Sequence, residues 1–269
     1  MRGHLVCIGS HMEYLVFARK YALAKPERTI YDRVTRHQTS YIIPQALLTM
    51  PTGRTLQPLL QMLMTGAAVA VFSVAVWRAP WKSWLIGHSD RQHLWLGSLA
   101  GLLVLCSVRS PVVPGMSLQF LLVTTLTLMH GWMLAVVGLG VIFGIDCLQH
   151  GDWMDWPADL VCDAVIPALF IHYLHCNVAR RLPRNYFVYI FVTVFAGSIA
   201  AFTLAELATL GLLAASGSTP AVPVATDFVV ALGLMAFAEA SLNGMVMSAA
   251  VVFRPDCVAS FEDSAYFAR

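Results

Sequence analysis

An apolar run from Phe120 to Leu148, entered through Pro114–Gln119, constrains the fold more than any other stretch of the chain. At about thirty residues it exceeds the roughly 20 that one membrane-spanning helix needs, and it is long enough for two short helices. Its conspicuous polar side chains are Gln119 at the mouth, His130 and Asp146. The number of times this run crosses the membrane therefore decides the topology of the whole chain.

The shortage of charge identifies the solvent of most of the chain as lipid. Hydrophobic residues make up 58% of the sequence and charged residues 12%, whereas soluble domains carry about 25% charged residues. The sequence predicts an all-α, polytopic helical membrane bundle, with membrane lipid as its surroundings and no nucleic-acid partner. The predicted spans outside the central run are Leu56–Trp77, His93–Val108, Pro157–Val178, Tyr186–Ala215 and Phe228–Phe253.

The charges of the loops set the orientation, because short cytoplasmic loops are rich in Lys and Arg. Arg78–Trp84 and Ala179–Arg184 carry cations and are predicted to be cytoplasmic. Three other loops contain at most one Lys or Arg and are predicted to be external: Arg109–Gly115, Gln149–Trp156 and Ser216–Asp227.

If the central run crosses the membrane twice, with a turn near His130–Trp132, every loop lies on the side of the membrane that its charge predicts. This gives about seven spans with the amino end outside and residues 254–269 as a cytoplasmic tail. Each half of the resulting central hairpin is about fifteen residues, shorter than a lipid-exposed span. Short helices are tolerated where neighbours bury them, and transporters place substrate sites there.

Residues 1–55 differ from the bundle predicted for 56–253, because they are basic and contain no apolar stretch of spanning length. We expect a basic extension that is disordered or lies upstream of the true start, with Met50, Met62 or Met64 as alternative starts. The other interpretation is a functional domain. The predicted topology would require its cations to be translocated.

Ionisable groups inside membrane spans are candidates for function because they are costly there. Glu239 and Asn243 are four residues apart on one helix face, either as a structural hydrogen-bonded pair or as part of a site. His172 and His175 are also close on one face, as interfacial histidines or as joint ligands. A group near the predicted external mouth forms either a cation-attracting vestibule or an ordinary acidic loop: Asp146, His150, Asp152 and Asp155.

The chain lacks the motifs of nucleotide hydrolysis and nucleophilic catalysis, and its cysteines are scattered. The sequence therefore predicts no enzyme activity and no covalently bound cofactor. An intramembrane enzyme that uses His172, His175 and Asp163 would have no recognisable motif. An ATP-driven process would need a separate ATPase chain.

Several blocks of the sequence resemble the CbiM/NikM permeases of bacterial energy-coupling-factor transporters, and more narrowly a divergent proteobacterial branch of them. The resemblance covers roughly Leu56 to Tyr266. The blocks that carry it are Pro114–Leu121, Leu128–Trp132, Arg181–Phe191, Ala238–Met245, Val252–Pro255 and Ser260–Asp263.

The resemblance implies an inner-membrane substrate-capture subunit for cobalt or nickel ions that works with a transmembrane coupling subunit and cytoplasmic ATPases. In that family an amino-terminal Met-His segment and a further histidine hold the metal. Here Gln119 takes the position of that histidine, and the chain has no Met-His start. An amide oxygen is a weaker ligand than imidazole for these metals.

Other side chains could contribute to a metal site, and another function could use the same fold. His130 would substitute for the missing histidine if the pocket were displaced, and Asp159 lies where the family tends to carry an asparagine. With Gln119, Glu239 and Asn243, these residues form the candidate metal site. The alternative function is a non-transporting membrane scaffold or assembly factor with a degenerate metal site.

Overall fold

The computed structural model describes residues 57–106, 109–113, 116–150, 152–183, 185–216 and 224–261. Within these residues the protein is a bundle of long apolar helices, which confirms the predicted all-α membrane fold. The extension 1–55 and the tail beyond residue 261 lie outside the described residues. The helices are α1 (Pro58–Arg78), α2 (Ser89–Cys106), α3 (Val123–His130), α4 (Trp132–His150), α5 (Trp156–Arg181), α6 (Tyr186–Ala215) and α7 (Val224–Phe253).

In the described part of the chain, five helices are long and apolar enough to cross a membrane, namely α1, α4, α5, α6 and α7. Helix α2 corresponds to the predicted span His93–Val108 but begins earlier, and its polar first turn lowers its mean hydropathy. Short π-helical segments are present at Trp81–Leu85, at Leu160–Val165 inside α5 and at Tyr189–Ala196 inside α6. A short 3₁₀ helix is present at Pro255–Cys257.

Within the predicted external loop Arg109–Gly115, residues Arg109–Val113 form a strand of a β-hairpin. Strand β1 (Arg109–Val113) pairs antiparallel with β2 (Met116–Gln119), and Arg109 lies opposite Gln119. Pro114 and Gly115 lie outside the described residues. The hairpin satisfies backbone groups that would otherwise be unpaired near the membrane.

The predicted turn in the central run is confirmed at Gly131, whose φ is +87°. The prediction of two helices of equal length is wrong, because α3 has 8 residues and α4 has 19. All the side chains of α3 are buried, so protein rather than lipid surrounds it and it need not have spanning length. We call residues 116–130 the re-entrant segment, meaning the short piece of chain that enters the bundle after β1 and ends at the turn at Gly131.

Contacts place several helix ends together at one end of the bundle, which we call the cationic end. The Arg254 guanidinium lies 2.6 Å from Asp90 at the start of α2. The ring of Trp132 at the start of α4 lies beside that of His172 near the end of α5. The ring of His175 packs edge-on against that of Tyr189 near the start of α6. The opposite end holds the β-hairpin and the turn before α5.

Helix α4 packs closely against its neighbours at two glycines, Gly138 and Gly140. A Cβ on Gly140 would lie 2.5 Å from the Phe72 ring of α1, and one on Gly138 would lie 2.5 Å from the Leu99 side chain of α2. The Trp156 indole N–H also donates to the Gly140 carbonyl at 2.9 Å. Small residues here permit the close approach on which membrane helix packing depends.

Candidate functional site

Glu239 of α7 holds the backbone of the re-entrant segment where β2 gives way to α3. The Leu122 N–H donates to Glu239 Oε1 at 2.6 Å, and the Leu121 N–H donates to Oε2 at 3.2 Å. These amides precede the first turn of α3, where no helical partner exists for them. The carboxyl group therefore replaces the water that would satisfy such amides in a soluble protein.

Asn243, one turn further along α7, completes this support. Its Oδ1 accepts from the Thr125 N–H at 2.9 Å and from the Thr125 hydroxyl at 2.6 Å. Its amide nitrogen donates to Glu239 Oε1 at 2.9 Å and to the Glu239 carbonyl at 2.8 Å. The two side chains share one face, as predicted, and we call them the α7 bracket.

The bracket compensates for an unusual backbone at Leu122, whose φ of 43° lies in the left-handed region. Such a conformation is unfavourable for a non-glycine residue and persists where its surroundings hold it. Glu239 holds the amides of Leu121 and Leu122, and Asn243 holds the amide of Thr125 in the first turn of α3. Helix α7 therefore determines the path of the chain between Gln119 and α3.

The tail after α7 supports the other end of α3. The Ala259 N–H donates to the Met129 carbonyl at 3.0 Å, and the Ser260 N–H donates to the Leu128 carbonyl at 3.1 Å. The Ser260 hydroxyl also lies 2.7 Å from the Tyr189 hydroxyl. The carbonyls at the end of a helix lack partners within it, and the tail supplies them here.

Gln119 lies at the end of β2, directly before the residues held by the bracket. Its side chain is 8% exposed, and its Oε1 has no hydrogen-bond partner among the described residues. Most buried polar atoms in proteins have a partner. An unpaired amide oxygen is a free acceptor that a cation or a water molecule can use.

His130 does not lie beside Gln119, because it occupies the last position of α3 at the cationic end. Eight residues of α-helix span about 12 Å, too far for both side chains to bind one metal ion. Gln119 belongs to β2 and His130 to α3, so the two residues do not share a helix. The His130 Nε2 lies 3.4 Å from the Ser98 hydroxyl, and its Nδ1 is buried without a partner in the described structure.

The remaining predicted residues lie on α4, α5 and the turn between them. Asp159 is half-buried in the first turns of α5, and Asp146, Asp152 and Asp155 are half-buried near the same end of the bundle. The side chain of His150 is outside the described part. Among the described residues, no three His, Cys, Asp or Glu side chains lie close enough together to hold a metal ion.

Some residues that matter at this site have no direct signal in the sequence. Leu121 and Leu122 contribute backbone amides, which hydropathy does not distinguish from the rest of an apolar run. Thr125 belongs to a threonine-rich stretch, but its partner is 118 positions away in the chain. Ala259 and Ser260 follow the last predicted span and had no assigned role.

Comparison with known protein families shows which family this chain belongs to. A family described as "CbiM: Cobalt uptake substrate-specific transmembrane region" matches residues 54–257. The chain belongs to the CbiM family. Two solved structures, described as a truncated transition metal transporter and a transition metal transporter, share the fold at 20% sequence identity, with TM-scores of 0.58 and 0.57. Each match covers 74% of this chain, and 96% and 90% of the respective structures. Comparison with curated proteins finds no significant match.

Membership of the CbiM family confirms the predicted class of function. The chain is a membrane-embedded component of metal uptake, and the family is one of transport rather than catalysis. The prediction that the protein is not an enzyme is therefore confirmed. The scaffold alternative is not favoured, because it has no comparable support.

Proposed function

We propose that this protein captures a divalent cobalt or nickel ion at the Gln119 end of the re-entrant segment. The ion is then transported with a transmembrane coupling subunit and cytoplasmic ATPases. Family membership supports the class of substrate. The position of the site rests on the buried Gln119 Oε1, which has no hydrogen-bond partner in the part of the chain that the structure describes.

Gln119 contributes an amide oxygen in this proposal, and water completes the coordination of the ion. The described residues contain no cluster of three His, Cys, Asp or Glu ligands, so a fully protein-bound ion is not part of the proposal. Carboxamide and water oxygens hold transition metals less tightly than imidazole does. We therefore expect weaker binding than in a site built on histidine.

The other predicted residues take different roles. Glu239 and Asn243 act as positioning residues, because their polar atoms bind the backbone that follows Gln119. Asp146, Asp152 and Asp155, with His150, form an entry region whose acidic groups raise the local concentration of cations. Asp159 extends this region along α5. His130 lies outside the metal site.

In a bacterial inner membrane the cationic end would face the cytoplasm. Arg78 ends α1, Arg181 ends α5 and Arg254 follows α7, and cytoplasmic ends are enriched in such residues. The Gln119 end then faces outward and the carboxyl end of the chain lies inside. The predicted external position of the amino end is part of the same proposal.

Isothermal titration calorimetry with nickel or cobalt chloride tests the site in protein purified without a histidine tag. We expect saturable binding that Gln119→Ala weakens about tenfold, or by about 1.4 kcal/mol. His130→Asn should leave the affinity unchanged, and exposed His88→Asn controls for binding by surface histidines. Equal affinity of the wild type and Gln119→Ala would remove Gln119 from the site. An absence of binding by the wild type would contradict the metal capture itself.

A further inference from the structure

A small cavity of about 10 Å³ lies against the start of α3. Its walls come from the start of α3 and from α5, α6 and α7. The lining residues include Thr124, Pro167, Ser198, Phe202 and Glu239. This volume is close to that of one water-sized probe, so the cavity admits a single small species.

Ser198 of α6 presents an unpaired hydroxyl to this cavity. The residue is 1% exposed, and its Oγ has no hydrogen-bond partner among the described residues. A serine inside a helix commonly bonds to the carbonyl of the preceding turn, and Ser198 does not. A buried hydroxyl without a partner costs free energy comparable to a lost hydrogen bond.

Glu239, which also lines the cavity, has one hydrogen-bonding position that its contacts with the described residues leave unused. A carboxylate offers about four acceptor positions, and Glu239 uses three of them for Leu121, Leu122 and Asn243. If the group is ionised, the fourth position is an acceptor. If it is protonated, the fourth position is an O–H donor. Water can donate and accept, so it fits both cases.

We propose that this cavity is a binding site for one internal water molecule that bridges the Ser198 hydroxyl and the Glu239 carboxyl group. The water joins α6 to the α7 bracket and so contributes to holding the re-entrant segment. Internal waters in proteins bind two to four otherwise unsatisfied polar groups. This site is separate from the metal-capture proposal and does not depend on it.

A structure at a resolution that reveals internal waters provides the direct test. We expect one density peak in the cavity of the wild-type protein, at hydrogen-bond distance from Ser198 Oγ and a Glu239 carboxyl oxygen. Ser198→Ala should lose the peak or weaken it, and Ser198→Thr should retain it because the hydroxyl remains. An unoccupied cavity in the wild type would overturn the proposal.

Thermal unfolding distinguishes water from a bound cation. We expect Ser198→Ala to lower the unfolding temperature by about 2–4 °C, whereas Ser241→Ala, whose hydroxyl binds only the Phe237 carbonyl of its own helix in the described structure, should have little effect. Replacing sodium by choline in the buffer should not change the wild-type value. A sodium-dependent unfolding temperature that Ser198→Ala abolishes would assign the cavity to a cation and contradict the water.

Discussion

The α7 bracket and Gln119 are both buried and polar, but they differ in how their hydrogen bonds are satisfied. Glu239 and Asn243 use their oxygens on the amides of Leu121, Leu122 and Thr125. Gln119 Oε1 has no partner among the described residues. Satisfied polar groups stabilise a structure, while an unpaired one is available to a ligand. The comparison therefore separates residues that build the site from the residue that we propose to bind the ion.

Among the substitutions that test this contrast, we expect Glu239→Ala to lower the free energy of unfolding the most. The substitution leaves the Leu121 and Leu122 amides buried without an acceptor, and each such group costs about 1–3 kcal/mol. We expect a loss of about 3–5 kcal/mol in the free energy of unfolding, measured by tryptophan fluorescence during denaturation in detergent. Asp256→Ala removes an exposed carboxylate and should change it by less than about 0.5 kcal/mol. Equal effects of the two variants would show that Glu239 has no structural role.

Asn243→Ala should have the second-largest effect, about 2–3 kcal/mol, because Thr125 loses its partner and Glu239 loses a donor. The same denaturation assay measures it. A double variant with Glu239→Ala should lose less than the sum of the single effects, because both residues hold one piece of backbone. Simple additivity would indicate that the two side chains act independently rather than as one bracket.

The sequence predicted the general path of the re-entrant segment but not its internal structure. Loop charges placed a turn near His130, and Gly131 provides it with a positive φ. The start of the short α3 was not predictable from hydropathy, because the amides of Leu121, Leu122 and Thr125 are satisfied by side chains of α7 more than a hundred residues away. The β-hairpin was not predictable either, because its two strands satisfy each other. Local periodicity contains no information about such distant partners.

Only part of the candidate site was predictable from the sequence, because spacing along the chain does not show which groups lie opposite one another in the fold. The i to i+4 spacing of Glu239 and Asn243 indicated a shared face, and their hydrogen bond follows from it. The spacing could not show whether the pair served structure or a ligand, since that depends on what lies opposite. The family resemblance makes Gln119 the candidate ligand and His130 its substitute in a displaced pocket, yet the length of α3 separates the two residues.

A smaller effect is expected where the tail supports the other end of α3. Tyr189→Phe and Ser260→Ala each remove the same hydroxyl contact of 2.7 Å and should each cost about 1 kcal/mol. A double-mutant cycle should give a coupling energy of about 0.5–1.5 kcal/mol. Neither change should alter nickel affinity, because the tail lies at the opposite end of α3 from Gln119. A coupling energy of zero would exclude this hydrogen bond from the support of α3.

The most direct test of the account is the nickel affinity of Gln119→His, measured by calorimetry together with its unfolding temperature. Imidazole binds nickel more strongly than an amide oxygen does, and the Gln119 oxygen has no described partner to lose. We predict at least about tenfold tighter binding, or about 1.4 kcal/mol, with an unfolding temperature within about 2 °C of the wild type. Unchanged affinity in a folded variant would contradict the claim that the ion binds at Gln119.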